Sequence, residues 1–218
     1  MYYCDNGIVL RHRDLNEADR IVTIFTRSYG RIEANFKGVK KSTAKLRALT
    51  ELFCHCDYRF YLRKYGSIPL CIGGSEIYCY ANLRSNLESI MLANFLADVV
   101  MSLTPVYQRS EEKFNLLLSS FDYLDKTNKI SKWFVVWFMA NMLEYYGVGF
   151  KETNIGYESK FWKRIHTPVF IDEKMDEYDD IYLDVFNFML SKINEHAEKK
   201  LVFNVKLEAD YVFSKHYK

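Results

Sequence analysis

Three short apolar runs open the chain, at residues 8–10, 21–25 and 32–36, and each has strand length. Turn chemistry separates them: Asn16-Glu17-Ala18-Asp19 after the first, Ser28-Tyr29-Gly30 after the second. Residues 43–49 are good helix formers and follow Ser42, a suitable N-cap, so a short helix is predicted there. Alternation resumes over 52–62 and predicts a long strand. Gly66-Ser67 marks a turn, 68–72 a further short strand, and Gly73-Gly74 a break or bulge.

From about residue 83 the period becomes helical. Leu87, Ile90, Met91, Phe95 and Val99 form one stripe, which Thr104-Pro105 ends; Phe114, Leu117, Leu118, Phe121 and Leu124 form a second. Residues 133–140 are apolar all round and predict a buried central helix that stops near Gly147. Residues 150–180 predict an irregular insert, extended at 167–171 and acidic from Asp172 to Asp180. A fourth helix is expected over about 181–197, and 201–218 fit strand or helix. Five strands with a helix after the third match the order of an oligonucleotide-binding (OB) barrel, although other small barrels share that periodicity. The expectation is an α+β chain, with a five-stranded OB-fold barrel over 1–80 and an α-helical domain over 81–218.

Charge sharpens this picture. The net charge is only +2, but residues 1–80 carry 13 Lys/Arg against 8 Asp/Glu, and 81–218 carry 17 against 20. Between Arg27 and Arg47 there are seven basic residues and one acid, Glu33. A barrel with such rims suits a polyanion. Arg31, Lys37, Lys40, Lys41, Lys45 and Arg47 are the expected phosphate contacts, with Arg11 and Arg13 as secondary candidates. Reversing Lys37, Lys40 and Lys41 to Glu should then weaken binding and flatten its salt dependence. The outward aromatics of the fourth strand, among Tyr58, Phe60 and Tyr61, could stack bases or pack on the helical half. The blander readings are basic loops that serve solubility on a protein-docking barrel, or an RNA-binding module.

The cysteines (Cys4, Cys54, Cys56, Cys71, Cys79) are odd in number, which suits reduced thiols and a cytoplasmic protein. No apolar stretch reaches membrane-span length and no signal-peptide pattern opens the chain, so no membrane partner is expected. Cys54-His55-Cys56 lacks finger-like spacing, which argues against structural zinc. There is no Gly-rich phosphate loop, HExxH or cysteine–histidine nucleophile context. We expect no enzyme and no cofactor.

The N-terminal residues resemble the RecO family of bacterial recombination mediators. The resemblance rests on Ile8-Val9-Leu10-Arg11, on Asn16-Glu17-Ala18-Asp19-Arg20-Ile21-Val22-Thr23-Ile24-Phe25-Thr26, on Gly30-Arg31-Ile32 and on Phe36-Lys37-Gly38-Val39-Lys40-Lys41-Ser42. It covers roughly residues 7–62, and the helical half agrees in layout. It implies an OB domain followed by a helical domain, binding to single- and double-stranded DNA, and strand annealing. It also implies work with RecR, and sometimes RecF, in loading RecA onto DNA coated by single-strand-binding protein (SSB). Many members carry a four-cysteine zinc module after the central helices; here no cysteine follows Cys79, so 150–180 cannot hold one.

A docking site for the acidic tail of SSB, also implied by that resemblance, needs cations beside large apolar groups. Two stretches qualify. One carries Lys126, Lys129 and Lys132; the other carries Lys160, Trp162, Lys163 and Arg164. The plainer reading is a solvated loop for the first and a core anchor for Trp162.

Overall fold

The computed structural model describes residues 1–148, 159–168, 173–197 and 201. Its N-terminal apolar runs become β1 (Tyr2–Asp14), β2 (Arg20–Thr26) and β3 (Gly30–Phe36), followed by β4 (His55–Tyr61) and β5 (Leu70–Tyr78). They close into a barrel in the order β1-β2-β3-β5-β4. The neighbours are antiparallel except β3 and β5, which meet in parallel at Asn35 and Leu70. The Asn35 N–H donates to Pro69 O at 2.8 Å beside that closure. This is the expected five-stranded OB-fold barrel.

Alternate residues fill its interior: Val22 and Ile24 from β2, Ile32, Ala34 and Phe36 from β3, Cys56, Tyr58 and Phe60 from β4. The second face of β2 is buried too. Phe25 lies 5.8 Å from Phe114 of α3 (Glu111–Lys126), ring centre to ring centre, and Phe53 lies 5.4 Å from Phe121. The unbroken apolar run of β2 thus serves two layers, the barrel core and the seam beneath α3. Both ends of α3 are fixed. Arg27 pairs with Glu111 at 2.9 Å, while Asp125 accepts the Tyr78 hydroxyl and the Leu83 N–H, each at 2.9 Å.

The segment after β3 differs from expectation. Residues 43–49 do not form a helix; a string of i→i+3 backbone bonds runs from Gly38 through Lys41, Ala44 and Arg47, ending in a 3-10 turn at Ala48–Thr50. Only Leu46 and Leu49 reach the barrel core from it, too little apolar contact to offset helix nucleation over seven residues. The Tyr58 hydroxyl donates to Leu49 O at 2.9 Å and seats this plug. The fourth strand starts later than expected because Phe53 turns the chain with φ 67°. The fifth runs through Gly73-Gly74 rather than breaking there. Register shifts near Arg59 and His55 absorb the bulges, and a Cβ on Gly74 would sit 2.3 Å from Asp57 O.

Two compact units result. One takes in residues 1–85, including α1 (Ala81–Ser85), and 104–125; the other takes in 86–103 and the chain from 126 onward. In the second unit α2 (Leu87–Leu103), α4 (Trp133–Tyr146) and α6 (Tyr182–His196) pack on one another. As expected, α4 is buried all round from Trp133 to Leu143, and Gly147 ends it at φ 94°. The insert is not irregular where it is described. Residues 159–165 form α5 (Ser159–Ile165), with Phe161, Trp162 and Ile165 on its buried face, and Glu173–Ile181 is a 3-10 stretch kinked at Tyr178. Three buried apolar residues in a seven-residue helix leave no readable period. Residues 149–158, 169–172, 198–200 and the tail from 202 lie outside the described residues, and so do most of the extended run expected at 167–171 and the strand-or-helix question for the tail.

Candidate nucleic-acid interface

Register decides which cations share a face. Arg11 is opposite Thr23, and Thr23 opposite Glu33; Arg13 is opposite Ile21, and Ile21 opposite Asn35. Opposed residues point the same way, so these rows form one outer face of β1-β2-β3, continued by Arg31 opposite Phe25. Arg13 Nη2 lies 3.4 Å from Glu33 Oε2, an exposed pair with which a phosphate can compete. Arg31 is engaged structurally. Its Nε donates to Thr104 O at 2.9 Å, and its carbonyl accepts the Tyr107 N–H at 3.0 Å.

The remaining candidates stand on the rim, where two loops are latched together. Asn16 Oδ1 accepts the N–H groups of Ala18 and Asp19, at 2.9 and 2.7 Å, which folds the β1–β2 loop. Asp19 then accepts the Gly38 N–H at 2.7 Å, and the Lys40 N–H donates to Ala18 O at 3.0 Å. Lys40 Nζ reaches Asp14 at 2.8 Å, and Arg20 joins Asp14 at 3.3 Å and Thr50 Oγ1 at 3.1 Å. The Glu-Ala-Asp-Arg and Lys-Gly elements are therefore the two halves of one latch. Lys40 belongs to the latch. Lys37, Lys41, Lys45 and Arg47 are exposed and in no ion pair among the described residues.

Both latch carboxyls are held below their ordinary value of 3.8: Asp19 first by the Gly38 N–H, Asp14 first by Lys40. A lowered folded value means that the latch contributes fully above pH 3.8 and is lost as pH falls through the lowered value. Hydrogen exchange should therefore show the Gly38 amide losing protection below about pH 4, beyond the intrinsic pH effect. Asp19→Asn should remove that dependence; an identical acid profile in the variant would assign the protection to another group.

Aromatics stand near Glu33 on the outer face, away from the latch. Tyr58 and Phe60 point into the core, which settles the alternative left open for them, and half-exposed Tyr61 lies against Tyr2 at 4.9 Å. Two aromatics that strand periodicity did not reveal are better placed. Tyr65 on the β4–β5 loop is 99% exposed, and Tyr107 is 59% exposed with φ 61°. Partial burial first, then Glu33 and Tyr65, raise the Tyr107 hydroxyl above its usual 10.0, which puts Tyr107 within electrostatic reach of both. A bulky residue at left-handed φ is strained unless its surroundings hold it; here the bond to Arg31 O does so. Arg63 and Lys64 immediately precede Tyr65 and were also missed, because a loop has no period to read.

A cleft of about 480 Å³ opens on another part of the wall, lined by Cys4, Asp5, Asn6, Asp57, Tyr58, Arg59, Gly74 and Ser75. With Asp5 and Asp57 against one cation, it does not suit a phosphate chain.

Among the described residues, only Cys54, Glu76 and Cys79 converge as possible metal ligands, within 4.8 Å of one another. The Arg84 guanidinium lies against both sulfurs, at 2.9 Å from Cys79 and 3.5 Å from Cys54, and opposes a divalent cation. Elemental analysis should find less than stoichiometric zinc in the purified protein, and chelation should leave its melting curve in place. One zinc per chain, lost together with the fold, would be the opposite result.

In the second unit, the two stretches singled out for an acidic tail meet the protein's own acids. Lys132 pairs with Asp179, which also accepts Trp133 Nε1 at 3.3 Å, and Arg164 lies 3.6 Å from Glu177. Phe161 stands 6.0 Å from Trp133 and 5.1 Å from Tyr178, so both stretches border the 3-10 turn at Glu173–Ile181. Trp162 is buried as a core anchor; Lys126, Lys129 and Lys163 are exposed. The Lys160 side chain lies outside the described residues.

Comparison with known proteins gives matches over most of the chain. Residues 1–71 match the family model described as "Recombination protein O N terminal", and residues 84–154 match "Recombination protein O C terminal". Similar proteins named "DNA repair protein RecO" include one from Pelotomaculum thermopropionicum, 36% identical over 53% of this chain and 44% of the relative. Another, from Halalkalibacterium halodurans, is 29% identical over 58% of this chain and 49% of the relative. A third, from Streptomyces avermitilis, is 43% identical over 43% of each. The matched stretch thus spans about half the length of these curated relatives. No helix among the described residues is long and apolar enough to cross a membrane.

Proposed function

The chain belongs to the RecO family, and from that premise we propose that it binds DNA in repair and recombination without making or breaking covalent bonds. The observation that carries this is the latched rim: four exposed cations, Lys37, Lys41, Lys45 and Arg47, on a fixed loop beside the Arg11–Arg13 face. Such an array suits a phosphate backbone, which positions a strand without reading its sequence. Filter binding with matched single-stranded DNA and RNA over a salt series is the test. DNA affinity with a steep salt slope supports the proposal. Preference for RNA would favour the RNA-module reading, and no affinity for either would favour a protein adaptor.

Tyr65 and Tyr107 are proposed to stack unpaired bases. Changing each to Ala should weaken single-strand binding by roughly 1–3 kcal/mol per stacked base and leave duplex binding nearly unchanged. Equal losses on both substrates would remove them as stacking groups.

The finer reading follows the family resemblance: strand annealing, and loading of RecA onto SSB-coated DNA with RecR, in some members with RecF. A cytoplasmic, nucleoid-associated location goes with it. For the SSB tail, the cations around Lys126, Lys129, Lys132, Lys163 and Arg164 are the proposed contacts, in competition with Asp179 and Glu177. Titration of a labelled tail peptide against Ala variants of Lys129 and Lys163 tests this, and unchanged binding in both places the tail elsewhere.

A further inference from the structure

Antiparallel pairing of β4 and β5 brings His55 opposite Tyr78, so the residues just outside that pair, Cys54 and Cys79, meet where the two strands leave the barrel. Their sulfurs are 2.8 Å apart. Cys54 is fully buried and Cys79 is partly exposed, so one of the two is open to a small oxidant while the other waits behind it. The Arg84 guanidinium, on α1, donates to Cys79 Sγ at 2.9 Å and reaches Cys54 Sγ at 3.5 Å; Glu51 anchors it from the far side at 3.0 Å. A guanidinium at hydrogen-bond distance stabilises a thiolate, the reactive form of the sulfur. No part of the DNA-binding rim uses this cluster.

We propose that Cys54 and Cys79 form a reversible peroxide-responsive disulfide, with Cys79 as the attacking sulfur, Cys54 as the resolving one and Arg84 as a positioning residue. The Cys79 thiolate attacks one oxygen of hydrogen peroxide. The O–O bond breaks, a sulfenic acid forms and the other oxygen leaves as water once protonated. The Cys54 sulfur then attacks the sulfenic sulfur. The S–S bond forms, and the hydroxyl leaves as a second water, taking the Cys54 proton. Two thiols give up two electrons, and the peroxide takes them. Burial pushes the Cys54 thiol up, which keeps it protonated until an electrophilic sulfur is beside it. Cys56 and Cys71, both buried and both raised by burial, have no such cation at hydrogen-bond distance among the described residues and are expected to stay reduced. The product is a covalent tie between the two ends of the β4–β5 hairpin.

The experiment uses the full chain carrying Cys4→Ser, since Cys4 is exposed and would compete. The reduced protein is treated with stoichiometric hydrogen peroxide, quenched, and digested without reductant. The expected result is a mass lower by two hydrogens and a linked peptide joining Cys54 to Cys79, both reversed by dithiothreitol. In the wild-type chain, which carries no substitution that could disturb folding, the same link should appear. Arg84→Met should slow the link about tenfold and Arg84→Lys should restore much of the rate, because a cation at hydrogen-bond distance favours the reacting sulfur. Sulfinate or sulfonate on Cys79 with no link, or links that scramble among the other thiols, would overturn the proposal. So would stoichiometric zinc added to the reduced protein that protects both thiols, since the pair would then be a metal site. An Arg84→Met rate equal to that of the parent would overturn the role of the guanidinium.

Discussion

Reversing Lys37, Lys41 and Lys45 to Glu together is expected to weaken single-stranded DNA binding about 100-fold near 0.1 M salt and to lower the log–log salt slope by ~2. The slope follows from counterion release, at ~0.7 per phosphate contact on a single strand. The structure refines the choice of residues. Lys40, a candidate on sequence grounds, is paired with Asp14 and hydrogen-bonded into the rim, so reversing it would break the latch as well as remove a charge. The other three are exposed and carry no internal ion pair among the described residues. Their loss should leave the melting temperature nearly unchanged, because exposed charges contribute little to folding. Filter binding over a salt series, with thermal melting alongside, reads both quantities. An unchanged slope with normal stability would remove the rim as the phosphate site.

The largest effect on folding is expected from Gly30→Ala. Gly30 has φ 68°, and a Cβ there would lie 2.1 Å from Gln108 O and 2.5 Å from Gln108 C. Both obstacles are backbone, so no side-chain rotation relieves them. Left-handed strain adds to the overlap, and together they should cost about 2–5 kcal/mol. The loss should spread beyond the turn. Gly30 begins β3, its carbonyl accepts the Thr26 hydroxyl at 2.9 Å, and the next residue holds Thr104 and Tyr107. Denaturant unfolding measures it; a loss under 1 kcal/mol would mean that the 104–108 segment yields without cost.

Much of the barrel was legible because alternation maps directly onto its wall. Val22 and Ile24 face in and Glu33 faces out, as period two requires. What could not be read depends on distant partners. Residues 43–49 have helix-forming composition, yet their outcome is decided by the plug that Leu49 and Tyr58 make. The α5 turn has one buried face of three residues, visible only once α4 supplies Trp133 beside it. At the candidate site, charge density located Lys37, Lys41, Lys45 and Arg47, whereas the division of labour between Lys40 and its neighbours rests on Asp14 across the loop. Tyr107 could not be found at all by local pattern, since its place at the β2–β3 turn depends on the connection into α3 returning to Arg31.

The seam beneath α3 has a consequence for biosynthesis. The last strand ends at Tyr78, but Phe25, Phe53 and Tyr80 on the barrel's outer wall are covered by Phe114 and Phe121, which the ribosome delivers only after all of α2 has been made. A nascent chain with five complete strands therefore carries an exposed aromatic wall until α3 emerges, and any slowing of translation within α2 prolongs that exposure. A fragment cut after β5 would keep the same wall uncovered permanently. The shortest stretch that can bury it runs to Asp125, where the carboxylate that holds Tyr78 and Leu83 closes the seam.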